Sequence, residues 1–198
     1  MLITADRPVG GLRRRAGDMV AVSALVRAEL ERHDWRALRC GCGDSAEHVP
    51  LMFEVIIEAE APGDMIGYAL DDHLELNANL FEVSVPAVSV ILAALAGGLS
   101  PLARAHFLTT LWRLAGGDAH RTEQVLGRCG LGDECRTRAR EGLWLIVQIG
   151  LTGGADDADT AADVCELVDL DGERSAFHQA LLRERAAAKG KRRGVRRR

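Results

Sequence analysis

Aromatic side chains are scarce: one Tyr, three Trp and four Phe make up 4% of the chain. The pleated faces of a β-sandwich want β-branched and aromatic residues, so this shortage argues against one. Long apolar runs are missing too. The longest, Val85 to Ala96, is broken by Pro86 and Ser89 and is too short to span a bilayer. Residues 1–15 lack the continuous apolar core of a secretory leader. No G-x-S-x-G, Walker or dinucleotide-binding glycine pattern occurs. Five cysteines, Cys40, Cys42, Cys129, Cys135 and Cys165, are odd in number and unevenly spread. They fit a cytoplasmic protein with reduced thiols better than a disulfide framework.

What is present is helical patterning. The 198 residues suffice for one domain with its own core, and 21 glycines with many alanines suit helices packed on small side chains. Met19, Val22, Val26 and Leu30 share one stripe and predict a first helix over 19–33, capped by Asp18. A second is expected near 46–61, regular from Val49 because Pro50 belongs in a first turn. A short helix over 64–72 and a turn at Asn77-Ala78-Asn79 follow. The stretch 81–96 is apolar nearly all round and predicts a buried helix. Ser100-Pro101 then reads as N-cap and first residue of a helix ended by Gly116-Gly117. Its expected inner face is Ala105, Leu108, Leu111, Trp112 and Ala115, with Arg104, Thr109 and Arg113 toward water. Further helices are expected near 120–128, from an Asp133 cap to 149, over 157–168 and over 173–188. Residues 1–17 are read as a flexible arm, 18–187 as a single helical-repeat domain and 188–198 as a basic disordered tail.

Two helices open alike. Val49-Pro50-Leu51-Met52 lines up with Val85-Pro86-Ala87-Val88 at an offset of 36 residues. Helical hairpins recurring at roughly 30 to 47 residues mark α-solenoids. The expected fold is therefore all-α, a short right-handed α-solenoid of about four helical hairpins. The segment His73 to Leu114, with its polar turn, Phe81 and Val85-Pro86-Ala87-Val88, resembles HEAT-like repeat proteins of high-GC actinobacteria. The pattern departs at Ser89-Val90, where those proteins carry an aromatic-leucine pair, and the match covers about a quarter of the chain. The resemblance implies an armadillo-like superhelix used for binding.

Candidate chemistry is thin. Cys40-Gly-Cys42, flanked by His33 and His48, offers soft ligands for zinc but lacks the paired spacing of a finger or ribbon, so it reads as a helix-breaking loop. Cys129 and Cys135 would join it in a four-cysteine site only if the fold brought two distant loops together. His73-Leu74-Glu75 matches half of a zinc deaminase signature without its P-C-x-x-C half. Asp71, Asp72 and Glu75 form one acidic cluster; Asp156, Asp157, Asp159 and Asp163 form another at a helix start, where capping explains them. No cofactor and no metal are expected.

Charge is divided unevenly. Seven of the 25 Lys and Arg stand in the last ten residues beside none of the 29 acids, leaving a body of about −11. The first expectation is a non-enzymatic protein-interaction module, in a narrower form an immunity- or antitoxin-like protein whose acidic surface covers a basic partner. Its candidate interaction residues are Asp71, Asp72, His73, Glu75, Asp156, Asp157, Arg192 and Arg193. An alternative is nucleic-acid association through the basic tail, and a third is an enzyme with a site at Asp72, His73 and Glu75. The tail alternative makes a sharp prediction. Deleting residues 189–198 abolishes retention on DNA or RNA columns, and retention by the truncated body rejects that route.

Overall fold

The computed structural model describes residues 22–196, with side chains described through Lys189. The arm 1–17, Asp18, Met19 and the side chains of Arg192 and Arg193 lie outside the described residues. Among those described, the chain is mostly helical. Nine α-helices run as α1 (Ala24–Glu31), α2 (Val49–Glu58), α3 (Ser84–Leu95), α4 (Pro101–Gly116), α5 (Arg121–Val125), α6 (Leu131–Glu141), α7 (Leu143–Thr152), α8 (Ala155–Val168) and α9 (Gly172–Arg196). Three two-residue strands accompany them: β1 (Glu75–Leu76), β2 (Asn79–Leu80) and β3 (Asp118–Ala119). β1 pairs antiparallel with β2, and β2 pairs parallel with β3. No described helix is long and apolar enough to cross a membrane.

Local chemistry sets the helix starts. Ser23 Oγ accepts from the Val26 amide at 3.2 Å and begins α1. Ser100 Oγ accepts from the Ala103 amide at 3.1 Å while donating to the Ala59 carbonyl at 2.7 Å, so one hydroxyl caps α4 and ties it to the end of α2. Asp157 Oδ2 accepts from the Gly154 amide at 2.6 Å and caps α8. The β1–β2 turn has positive φ at both central residues, Asn77 (52°) and Ala78 (63°), the geometry that matches strand twist in a two-residue hairpin. Alanine pays a steric penalty there, and the Glu75 carboxylate holds the Ala78 amide at 2.8 Å.

The core is organised on α3, whose residues Ala87, Val88, Val90 and Ile91 are fully buried. It packs against α1, α4 and α6, and α4 in turn packs against α2, α6 and α8. Phe53 of α2 stacks on Phe107 of α4, with ring centroids 5.8 Å apart. α2 and α3, which open alike in sequence, share α4 as a neighbour, but only α3 also packs on α1 and α6.

Several expected details change. The buried face of α4 is Ala103, Phe107, Leu108, Thr110, Leu111, Leu114 and Ala115, and Trp112 stands 43% exposed. The reason is that Arg104 and Arg113 turn toward buried carboxylates rather than water. The expected helix from Asp133 to 149 is two helices broken at Gly142. There Leu92 of α3 approaches so closely that a Cβ would lie 2.3 Å from its Cδ2. Asp133 does not cap; it pairs with Arg136 at 2.7 Å. The predicted helix over 64–72 shrinks to a single 3-10 turn, Pro62–Met65. The backbone of α9 continues to Arg196, through the stretch read as a disordered tail.

Gly132 tests this packing. A Cβ there would meet the Gly117 carbonyl oxygen at 2.5 Å, a backbone atom that a rotamer change cannot move. Gly132→Ala should cost about 1–3 kcal/mol by overpacking despite its better helix propensity. Gly63→Ala, which meets nothing within 4 Å, should stay near wild type. Thermal or urea unfolding of both variants measures the difference, and equal midpoints would reject the close approach.

Candidate functional site

The backbone between Arg39 and Ser45 forms a tight loop. A bridge joins Arg39 to Ser45, the Cys40 amide donates to the Asp44 carbonyl at 3.0 Å, and the Gly43 amide donates to the Cys40 carbonyl at 3.1 Å. Gly43 takes φ of 95°, a left-handed conformation that favours glycine. Gly41 has a steric role. Its amide donates to the His73 carbonyl at 2.8 Å, and a Cβ would lie 2.7 Å from the Asp72 carbonyl oxygen and 2.9 Å from the Phe81 ring. Glycine between the two cysteines therefore lets this loop lie against the turn at Asp72-His73.

That turn is fixed from its other side. Asp72 has φ of 66°, its amide donates to the Glu75 carbonyl at 3.0 Å, and the Leu74 carbonyl accepts from Ser84 Oγ at 2.6 Å. The result brings four donor atoms together. Cys40 Sγ lies 3.5 Å from His48 Nε2 and 3.3 Å from His73 Nδ1. Cys42 Sγ lies 3.9 Å from His48 Nε2, and the two imidazole nitrogens are 2.8 Å apart. All four atoms fall within 4.8 Å of one another. Cys40 is buried and Cys42 exposed, with both histidines between. Burial pushes the Cys40 thiol up to about 12. Burial and then the neighbouring His48 pull His73 below its ordinary value, against the opposing pull of Asp72. A Cys2His2 set of this kind suits a borderline-soft divalent cation.

The two cysteine loops do not combine into a four-cysteine site: Cys129 is exposed and Cys135 buried, outside this cluster. His33 also stays apart, within 3.4 Å of Arg32 and edge-on to Trp35. Of the two histidines that the sequence sets beside the loop, His48 joins the cluster and His33 does not, and the sequence groups His73, 33 residues from Cys40, with Glu75 rather than with the thiols.

The acidic clusters resolve differently. Asp71 and Glu75 both reach Arg113, at 2.6 and 3.5 Å, while Asp72 stays exposed. His73 and Glu75 thus serve separate partners, thiols on one side and a guanidinium on the other. Asp157 is 5% exposed and accepts two bonds from Arg104 at 2.9 and 3.2 Å, whereas Asp156, one residue earlier, is exposed.

A second concave feature crosses α1, α3 and α6. Two cavities of about 310 and 400 Å³ lie side by side there and share Ser89 as lining; together they are termed the groove. Leu25, Leu92 and Leu145 line one end; Leu38, Val85 and Leu131 line the other. Six of its charged groups are paired with one another, Glu29 with Arg32 at 2.8 Å, Arg138 with Glu141 at 3.2 Å, and Glu82 with Arg128, and Glu134 also lines it.

No family model, curated protein or solved structure matches the chain.

Arg39 carries the strut between the two features. Its guanidinium grips the buried Glu123 carboxylate through two bonds, at 3.1 and 2.5 Å, and its amide donates to Glu82 at 3.3 Å. Arg39→Ala should destabilise the fold by roughly 1–3 kcal/mol, because Glu123 loses its bidentate partner while 1% exposed. The double variant with Glu123→Gln should recover part of that loss. Additive losses in a double-mutant unfolding cycle would show that the pair is not coupled.

Proposed function

We propose that this protein is a non-enzymatic binding module whose α1–α3–α6 face receives an extended segment of another protein. The groove across that face carries the reading: it is elongated, floored by apolar side chains and rimmed by ion pairs that are satisfied before any partner arrives. Such a surface orients a ligand without offering a nucleophile and base in contact. The engagement of Glu75 by Arg113 and the Ala78 amide supports a non-catalytic role for the His73-Leu74-Glu75 stretch.

Helix neighbours support a solenoid arrangement. α3 lies between α1 and α6, and α4 packs on α2 and α8, as two rows of a stacked-hairpin architecture would. On this reading the stretch His73 to Leu114 is related to the HEAT-like repeats it resembles, and the acid-rich body suits a basic segment in the groove. The five described thiols are all free, in keeping with a cytoplasmic setting.

Ser89 stands where the two cavities meet, so Ser89→Arg should obstruct the groove. Extended peptides selected from a display library on the wild-type protein should bind the variant at least about tenfold more weakly, a loss near 1.4 kcal/mol. In NMR titrations they should shift the amides of Leu25, Ser89 and Leu145. Selected ligands that bind the variant equally and shift other regions would reject the groove as the binding face.

A further inference from the structure

We infer that Cys40, Cys42, His48 and His73 form a structural Zn²⁺ site that clasps the loop over 40–48 to the turn at His73. The inference is independent of the groove, because none of the four ligands lines it. Four observations carry it.

The first is the size of the donor cage. With Zn–S of about 2.3 Å and Zn–N of about 2.0–2.1 Å, a tetrahedron has edges of about 3.3–3.8 Å. Three of the measured separations, 3.3, 3.5 and 3.9 Å, lie within or next to that range. The histidine pair at 2.8 Å needs to open by about half an ångström, which small ring rotations supply. The second is composition. Two thiolates and two neutral imidazoles match the charge and softness of Zn²⁺, and four protein donors close the coordination shell. A closed shell leaves no position for a reactive water, so the site is structural rather than catalytic.

The third is construction. Gly41 and Gly43 permit a loop that places both sulfurs on one side, and the Gly41 amide bonded to the His73 carbonyl sets the distance between the two segments before any metal binds. The fourth is need. Between the end of α2 and β1 the chain has only the 3-10 turn at Pro62–Met65, so it is held by the buried Leu70 and Leu74 together with tertiary contacts such as the one at His73. Exposed Cys42 gives a metal or chelator direct entry.

Loading releases one proton from each thiol to solvent: Zn²⁺ replaces two S–H protons, and both imidazoles bind as neutral ligands. Nothing is oxidised or reduced.

The test uses the full chain, purified and stripped with a chelator, then titrated with Co²⁺ and Zn²⁺. One Co²⁺ per chain should give the intense visible bands of a tetrahedral ion together with thiolate charge-transfer absorption. One equivalent of Zn²⁺ should bleach both, and elemental analysis of Zn²⁺-loaded protein should find one metal per chain. Cys42→Ser is the informative variant, because an exposed thiol can be replaced without disturbing the core. It should lose charge-transfer intensity and bind Zn²⁺ more weakly by about 10–100-fold or more, since even residues that only orient a ligand cost that much. His73→Gln should do the same and lower the thermal midpoint of the Zn²⁺-loaded protein toward that of the stripped one. Sub-stoichiometric binding, the pale spectrum of a hydrated octahedral Co²⁺, or a Cys42→Ser variant with wild-type affinity would overturn the proposal.

Discussion

Helix α3 leaves only one narrow stripe, Val85, Ser89 and Leu92, partly open to water. Ala87, Val88, Val90, Ile91, Ala93, Ala94 and Leu95 are all buried, so every neighbour must supply apolar surface and none can leave without exposing it. At about 25 cal/mol for each Å² of apolar surface withdrawn from water, a helix buried over most of its surface contributes heavily to the favourable side of folding. That burial has a polar consequence at the helix entry. Ser84 is buried with its first turn, and its hydroxyl accepts from the Phe81 amide at 3.0 Å while donating to the Leu74 carbonyl at 2.6 Å. An unmet hydroxyl at that depth would cost more than the bonds contribute. The irregular chain over 70–83 is therefore fastened to α3 by the same requirement that keeps α3 dry.

Arginines brace the segments that apolar packing does not reach. Arg39 holds Glu123, Arg113 holds Asp71 and Glu75, and Arg104 holds Asp157. Glu123, Glu75 and Asp157 are buried, while their arginines keep part of their surface in water. Bringing carboxylates out of water offsets most of the attraction, so such pairs fix register more than they add stability. Their placement agrees with that role. Each joins an arginine to a carboxylate 38 to 84 residues away, and two of the three involve a stretch without long helices.

Features written within a few residues were legible in the sequence. Ser100-Pro101 caps α4, Val49-Pro50 opens α2, and Asn77-Ala78 makes the turn between β1 and β2, because each depends only on local backbone geometry. The faces of helices were less legible. The inner face of α4 was misread because Arg104 and Arg113 look like solvent residues until their distant carboxylates are known. Gly142 broke a predicted helix for a reason that lies on another element, the side chain of Leu92. The donor cluster was half legible. Cys40, Cys42 and His48 are close in sequence, but His73 comes from a turn 33 residues from Cys40 whose approach is licensed by the missing side chain of Gly41. A glycine between two cysteines is a weak signal alone; its meaning is the backbone it lies against.

Three consecutive residues connect the cluster to the groove. Leu38 lines the groove, Arg39 grips Glu123 and Glu82, and Cys40 is the buried member of the donor set. Glu82 itself lines the groove beside Arg128. The Val83 amide bonded to the Arg39 carbonyl at 3.3 Å holds this short run against the start of α3. Cys40 therefore lies within two residues of both a groove-lining side chain and the arginine that holds Glu123. A clasp at Cys40 would hold the same short run that carries Leu38 and Arg39.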